Sequence, residues 1–105
     1  MARVTAFQAV GRGFESRLPL RMFFYVYILR SSVEKRYYIG STENVEARLA
    51  FHNSNRARWT KRYQPWVLEH VEEFQTRSEA VKRERFLKSL KGIERNLEQI
   101  KLGEL

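Results

Sequence analysis

The sequence contains no cysteine and no aspartate, and it has only two prolines. Without cysteine the chain can form neither a disulfide framework nor a thiolate metal site, and a reducing cytoplasm is the expected location. All 12 acidic residues are glutamates, so any site for a hard cation must use glutamate. The longest apolar run, residues 22–29, is far shorter than the roughly 20 residues that cross a bilayer. A membrane-spanning protein is therefore not expected.

Positive charge dominates the composition. Lysine and arginine number 20 against 12 glutamates, which leaves a formal net charge of +8 on 105 residues. A chain of this length forms one domain, which buries roughly 60 to 65% of its unfolded surface. The positive charge favours a nucleic-acid partner, although many basic proteins attract polyanions through their surface potential alone. The charge thus supports a nucleic-acid function without defining one.

The first 21 residues differ from the rest of the chain. Glycines and a proline interrupt every hydrophobic period, and four arginines accompany a single glutamate. We expect residues 1–21 to be a disordered extension. It is either an Arg-rich targeting segment or a stretch upstream of a true translation start at Met22, and we favour the second. The domain itself is predicted to span residues 22–105.

From residue 22 onwards the periodicity predicts an α+β domain with the element order ββαβαα. Residues 23–29 are apolar on both alternating faces, as in a central strand covered on both sides. Asn44 is a candidate helix cap, and Thr76 with Glu79 forms a capping box. We predict a small three-stranded antiparallel sheet flanked by helices. The strands are residues 23–29, 36–41 and 66–74, and the helices are residues 44–53, 76–91 and a short closing helix through Ile93, Leu97 and Ile100.

Two polar side chains lie among the core positions of the first helix. Arg48 and His52 share a stripe with two apolar residues at helical spacing. A charge in such a position costs several kcal/mol unless a partner compensates it, and no acid lies three or four residues from Arg48. A cross-helix salt bridge to Glu84 or Glu94 is one interpretation. His52 taken alone is more often a structural histidine than a catalyst.

Tyr27 and Tyr38 lie on the two strands that are expected to pair, so their hydroxyls can converge near the start of the Arg48 helix. Aromatic residues in a small core usually only fill space, and this remains the alternative. A phenol with a pKa of about 10 is ionised only about one part in a thousand at pH 7. To act as a base it needs a nearby cation, which Arg48 or a bound metal can supply.

Among the glutamates, Glu84 is the candidate metal ligand. Its structural alternative is an ion pair with Lys88, four residues on, which is worth about 0.3 kcal/mol. Mg²⁺ commonly takes only one or two protein carboxylates and completes its shell with water and phosphate oxygens. One glutamate is therefore enough for a phosphodiester substrate. The remaining polar residues of the third strand are predicted to lie on the surface: Glu69, His70, Glu72 and Glu73.

The loop over residues 54–64 interleaves cations with aromatic side chains. This combination is used to neutralise a phosphate backbone and to stack bases. The alternative is a solvated loop with hydrophobic anchors. The candidate nucleic-acid-binding residues are Arg56, Arg58, Lys61 and Arg62, with Trp59 and Tyr63 as the aromatics.

Four segments, taken in order, form a recognisable pattern: FYVYILRS, RYYIGSTENVEARLAFHN, TKRYQPW and EAVKRERFLKS. The pattern resembles the GIY-YIG endonucleases, in particular the small free-standing bacterial relatives of the nuclease domain of the excision-repair incision subunit. The likeness covers residues 22–97. The second triplet, Tyr38-Ile39-Gly40, is intact. The first reads Tyr25-Val26-Tyr27 and keeps only its last tyrosine.

The resemblance implies a divalent-metal-dependent endonuclease, a hydrolase that cleaves phosphodiester bonds in nucleic acid. It favours DNA as the partner and a role in repair or processing, and it implies no small-molecule cofactor. It assigns Tyr27 and Tyr38 to a phenol pair and Arg48 to the phosphate. It also assigns His52 to proton transfer or orientation, and Glu84 to a bound Mg²⁺ or Mn²⁺.

The same likeness adds Thr60 to the nucleic-acid-binding residues. It also makes Asn96 the candidate for a C-terminal asparagine that some members have. Two other functions stay open, namely a nucleic-acid-binding module that kept the fold but no longer cuts, and a subunit of a repair complex. The sequence does not specify the structure of the substrate or choose between DNA and RNA, because no base-reading module is attached.

Overall fold

The computed structural model describes residues 3–5 and 23–105, and these residues form an α+β domain. Its elements are β1 (Arg3–Thr5), β2 (Phe24–Ser31), β3 (Tyr37–Thr42), α1 (Val45–His52), a 3₁₀ turn (Thr60–Tyr63), β4 (Trp66–Phe74), α2 (Arg77–Ser89) and α3 (Ile93–Lys101). The strands form one antiparallel sheet in the order β1-β4-β2-β3. From residue 23 onwards, the predicted order ββαβαα and the predicted three-stranded antiparallel sheet are confirmed.

The central position of β2 follows from its sequence, which is apolar on both faces. On one face, Val26 and Ile28 pack against α2 and α3 in a first core. On the other face, Tyr27 and Leu29 contribute to a second core with α1 and β4. All four side chains are buried. Because β2 is covered on both sides, any functional group on it is held rigidly.

Side-chain caps define where the helices begin. The Asn44 side chain accepts a hydrogen bond from the Ala47 amide at 3.0 Å, and the Thr76 hydroxyl accepts one from the Glu79 amide at 3.1 Å. Both capping residues were predicted, and such caps contribute about 1 kcal/mol each. Gly92, with φ of 84°, separates α2 from α3 in a conformation that favours glycine. No helix within the described residues is long and apolar enough to cross a membrane.

The loop that precedes β4 has a defined shape. The Trp66 indole nitrogen donates to the Thr60 carbonyl at 2.9 Å. The Gln64 amide donates to the carbonyls of His52 and Ser54, both at 2.8 Å. These bonds tie the 3₁₀ turn and the end of α1 to the sheet. The loop therefore has a defined conformation beside α1.

The sequence did not predict β1. Its backbone pairs with β4 in the register Arg3↔Glu73, Val4↔Glu72 and Thr5↔Val71. The prediction that residues 1–21 form no element is therefore wrong for these three, because the free edge of β4 offers backbone groups for pairing. The prediction of a disordered extension otherwise falls on residues outside the described part of the chain.

The prediction that the polar residues of β4 lie on the surface is wrong for two of them. A β-bulge in the pairing of β4 with β2 turns His70 and Glu72 towards α2, and Glu72 is only 1% exposed. Arg83 of α2 donates to both carboxylate oxygens of Glu72, at 2.7 and 3.0 Å. His70 Nε2 lies 3.0 Å from the same carboxylate. Burial would raise the pKa of Glu72, but the hydrogen bonds from His70 and Arg83 outweigh it and lower the pKa.

Candidate active site

The antiparallel pairing of β2 with β3 brings two tyrosines together. Tyr27 pairs with Gly40 across the two strands, and the rings of Tyr27 and Tyr38 are stacked with centroids 6.1 Å apart and planes 21° apart. A Cβ atom on Gly40 would lie 2.6 Å from the Tyr27 hydroxyl. Gly40 has no side chain, and this absence leaves space for the Tyr27 hydroxyl.

His52, at the end of α1, connects the phenol to the loop. Its Nε2 lies 3.3 Å from the Tyr27 hydroxyl, and its Nδ1 lies 3.1 Å from the Thr60 hydroxyl. The Tyr38 ring packs on the imidazole at a centroid distance of 4.5 Å. Tyr27, His52 and Thr60 are all buried. They form a chain of hydrogen-bonding groups, which we call the Tyr27–His52–Thr60 relay.

Arg48 lies at the exposed side of this relay. The interpretation of a cross-helix salt bridge is wrong for the described part of the chain, because Glu84 pairs with Lys88 and Glu94 with Lys35. The side chain is exposed, so no buried charge has to be compensated. Its guanidinium stacks over the Phe51 ring at 5.1 Å.

The environment moves the pKa values of the two relay groups in opposite directions. Burial, together with the neighbouring Tyr38, raises the pKa of Tyr27 to about 12, although a hydrogen bond and the charge of Arg48 act to lower it. Burial and the charge of Arg48 lower the pKa of His52 to about 4. Arg48 acts on the phenol in the expected direction, but burial has the larger effect on its pKa. At pH 7 the imidazole is neutral and can accept a proton.

Glu84 reaches the other side of β3 from α2. It accepts a hydrogen bond from the Ser41 hydroxyl at 2.8 Å and forms the predicted ion pair with Lys88 at 2.7 Å. Its side chain is 20% exposed. Its negative charge contributes to the raised pKa of Tyr27, less than burial and Tyr38 do. Ser41 was not predicted, and the only signal for it was its place directly after the triplet that ends in Gly40.

The predicted loop cations lie in the segment between α1 and β4. No carboxylate within residues 23–105 pairs with any of the four predicted cations, and all four are exposed. The Arg56 guanidinium stacks on Phe51 at 5.8 Å, on the ring that Arg48 also contacts. Thr60 does not belong with them, because its side chain is buried and bonds to His52. The four cations are Arg56, Arg58, Lys61 and Arg62.

Comparison with known proteins places the chain in a family. The model of the GIY-YIG catalytic domain matches residues 23–96, a range that contains both tyrosines, Arg48, His52 and Glu84. The chain belongs to the GIY-YIG family. Relatives that are similar in sequence include several UPF0213 proteins, a group name that specifies no activity.

Three of these relatives show the extent of the similarity. The UPF0213 protein of Staphylococcus haemolyticus is 44% identical over 62% of this chain and 79% of its own length. That of Natronomonas pharaonis is 42% identical over 63% of this chain and 78% of its own. That of Syntrophus aciditrophicus is 42% identical over 68% of this chain and 83% of its own length. No solved structure matches the chain.

Asn96 does not reach the GIY-YIG site in the way that the resemblance implies. Its side-chain amide donates to the carbonyls of Lys91 and Gly92, at 3.4 and 2.9 Å. These carbonyls lie in the turn between α2 and α3. Asn96 therefore stabilises that turn, and a local hydrogen bond to the backbone accounts for its position.

Proposed function

We propose that this GIY-YIG protein is a divalent-metal-dependent endonuclease that hydrolyses phosphodiester bonds in nucleic acid, with DNA as the substrate and a role in its repair or processing. The observation that supports this most is the buried Tyr27–His52–Thr60 relay, which has Arg48 on one side and Glu84 on the other. A purely structural core has no need for a hydrogen-bonded imidazole and phenol beside an exposed guanidinium that has no carboxylate partner among the described residues.

The relay can move a proton away from the attacking water. Neutral His52 accepts the Tyr27 proton at Nε2, and the Tyr27 oxygen takes a proton from water in the same step. The Thr60 hydroxyl at 3.1 Å from Nδ1 orients the imidazole for this transfer. Concerted transfer avoids a free phenolate, whose formation the raised pKa of Tyr27 opposes. The lowered pKa of His52 likewise opposes a stable imidazolium, so His52 would hold the proton only transiently.

Arg48 is the group that would bind the scissile phosphate. Its guanidinium is exposed and has no carboxylate partner among the described residues, so its positive charge is available to a ligand. A guanidinium can hold two phosphate oxygens at once. As negative charge builds up on those oxygens in the transition state, the interaction strengthens and lowers the barrier.

The donors around Glu84 fit a hard divalent cation. The described residues contain no cluster of three acidic, histidine or cysteine residues that could form a protein-only metal site, but Mg²⁺ needs only one or two carboxylates when phosphate and water complete its shell. Glu84 would hold the ion, and the exposed Lys88 ammonium would have to leave the carboxylate. A bound Mg²⁺ or Mn²⁺ would stabilise the leaving oxygen.

The proposal is tested by incubating the protein with labelled single-stranded, duplex, flap and branched DNA and RNA, with Mg²⁺ or Mn²⁺ and with a chelator. We expect cleavage that the chelator abolishes, and a loss of at least about 100-fold in Glu84→Gln, Tyr27→Phe and Arg48→Ala. Glu34→Gln, an exposed glutamate in the β2–β3 turn, is the matched control. Native cleavage rates in all three site variants would contradict the proposal.

A second function, nucleic-acid binding without cleavage, is favoured by one observation. Lys88 already neutralises Glu84 at 2.7 Å, so the carboxylate has a partner without any metal. The two functions are separated by the chelator. A binding module shows the same salt-dependent affinity with and without Mg²⁺ and gives no product, whereas the nuclease loses only its cleavage.

A further inference from the structure

The loop that carries the four cations also presents an aromatic side chain to solvent. Trp59 is 52% exposed, whereas the second tryptophan, Trp66, is buried in the core. Trp59 rests on Tyr63 with ring centroids 5.3 Å apart and planes at 56°. One exposed apolar residue needs no explanation by itself. This one lies within three residues of Arg58, Lys61 and Arg62, so it is part of a charged surface that suits a polyanion.

Trp59 is held at a fixed place relative to the relay. The next residue, Thr60, bonds to His52 through its side chain and to the Trp66 indole through its carbonyl. Consecutive Cα atoms are only about 3.8 Å apart. The indole therefore projects from a residue directly beside the reacting groups, on a backbone that the sheet anchors.

We infer that Trp59 is a stacking platform for an unpaired base next to the scissile phosphate, so that the substrate is single-stranded where it is cut. An indole stacks on any base whose face is open. In a continuous duplex the neighbouring bases cover both faces, and exposing one requires that it leave the stack. The position next to the scissile phosphate rests on the proposed function; the stacking itself does not.

Binding measured in chelator separates stacking from cleavage. The probes are a short thymidine oligonucleotide, a strand of the same length made of abasic sites, and a duplex of that length. The abasic strand keeps the phosphates and lacks the bases. Affinity is measured by anisotropy of a label on the nucleic acid. The fluorescence of Trp59 provides a second readout, because stacking quenches it while Trp66 stays buried.

We expect Trp59→Ala to weaken binding of the thymidine strand by about 5- to 150-fold, the loss typical of one stacked base. Binding of the abasic strand and of the duplex should change less than twofold. Trp59→Phe should retain most of the affinity for the thymidine strand, because its ring still stacks. Phe86→Ala removes an exposed aromatic of α2 over which Arg83 stacks at 5.4 Å, and it should change none of the three affinities.

Equal losses with all three probes would overturn the inference, since they would show a change in the loop and not a lost stack. So would an unchanged affinity of Trp59→Ala for the thymidine strand. A 5-methyluridine strand of the same length, which differs from the thymidine strand only in its 2′-hydroxyl groups, identifies the sugar: a base-dependent loss with either strand supports stacking, and the tighter strand names DNA or RNA. If stacking is found but Mg²⁺ yields no product, the inference stands and the nuclease proposal fails.

Discussion

Replacing Gly40 with alanine tests the centre of the site. The backbone there is compatible with alanine, since only Gly92 and Gly103 have positive φ among the described residues. A change from glycine to alanine at such a position normally stabilises a protein by about 0.4–1 kcal/mol. Here, however, the new Cβ would lie 2.6 Å from the Tyr27 hydroxyl oxygen and 2.8 Å from its Cζ atom. Ordinary contacts begin at 3.4 Å, so the phenol must move.

Tyr27 has little room to move, because it is 1% exposed and its hydroxyl is bonded to His52. Overpacking of this kind costs about 1–3 kcal/mol, and the lost hydrogen bond costs about 1 kcal/mol. We therefore expect Gly40→Ala to lower the free energy of unfolding by about 1–3 kcal/mol, the opposite sign to the usual effect. Urea denaturation followed by Trp66 fluorescence measures it.

A double-mutant cycle identifies the cause of this loss. Tyr27→Leu removes the hydroxyl and the outer ring atoms while keeping an apolar side chain. In that background Gly40→Ala should be neutral or stabilising. If Gly40→Ala were as stable as the parent protein, the Tyr27 hydroxyl would not lie over this glycine, and the geometry of the relay would be wrong.

Three further predictions concern the ion pair of Glu72 with Arg83, the relay and the loop cations. Glu72→Gln should cost about 3 kcal/mol in urea denaturation, because it leaves Arg83 without its buried partner; the exposed Glu34→Gln should cost less than about 0.5 kcal/mol. The folded pKa of His52 is about 4 against an ordinary value of 6.5, so the unfolded chain binds a proton first and stability falls as pH drops from about 6.5 to about 4. His52→Gln should flatten this part of the stability profile, and an unchanged slope would contradict the lowered pKa. Affinity for duplex DNA should fall with a log–log salt slope of about −3.6 if all four loop cations contact phosphates, and Arg58→Ala should reduce its magnitude by about 0.9.

The sequence by itself determined the order of the elements and most of their ends. The caps at Asn44 and Thr76 and the break at Gly92 are local signals, because each depends on one side chain and the backbone beside it. The apolar residues on both faces of β2 likewise indicated a central strand. The matching segments determined the family, and they included Tyr27, Tyr38 and His52, whose side chains the fold brings into contact.

Only the tertiary structure decided which groups these side chains contact, how far they are buried and how their pKa values shift. Arg48 shares a helical stripe with core positions, yet it is exposed beside the relay, since the short helix α1 buries only Val45 and His52. The pKa of Tyr27 depends on burial by strands and helices distant in sequence, and this burial outweighs a nearby cation. Glu72 was predicted at the surface, but a bulge in β4 puts it on the face that α2 covers, where it is buried against Arg83. Such effects depend on packing between elements, which no local pattern contains.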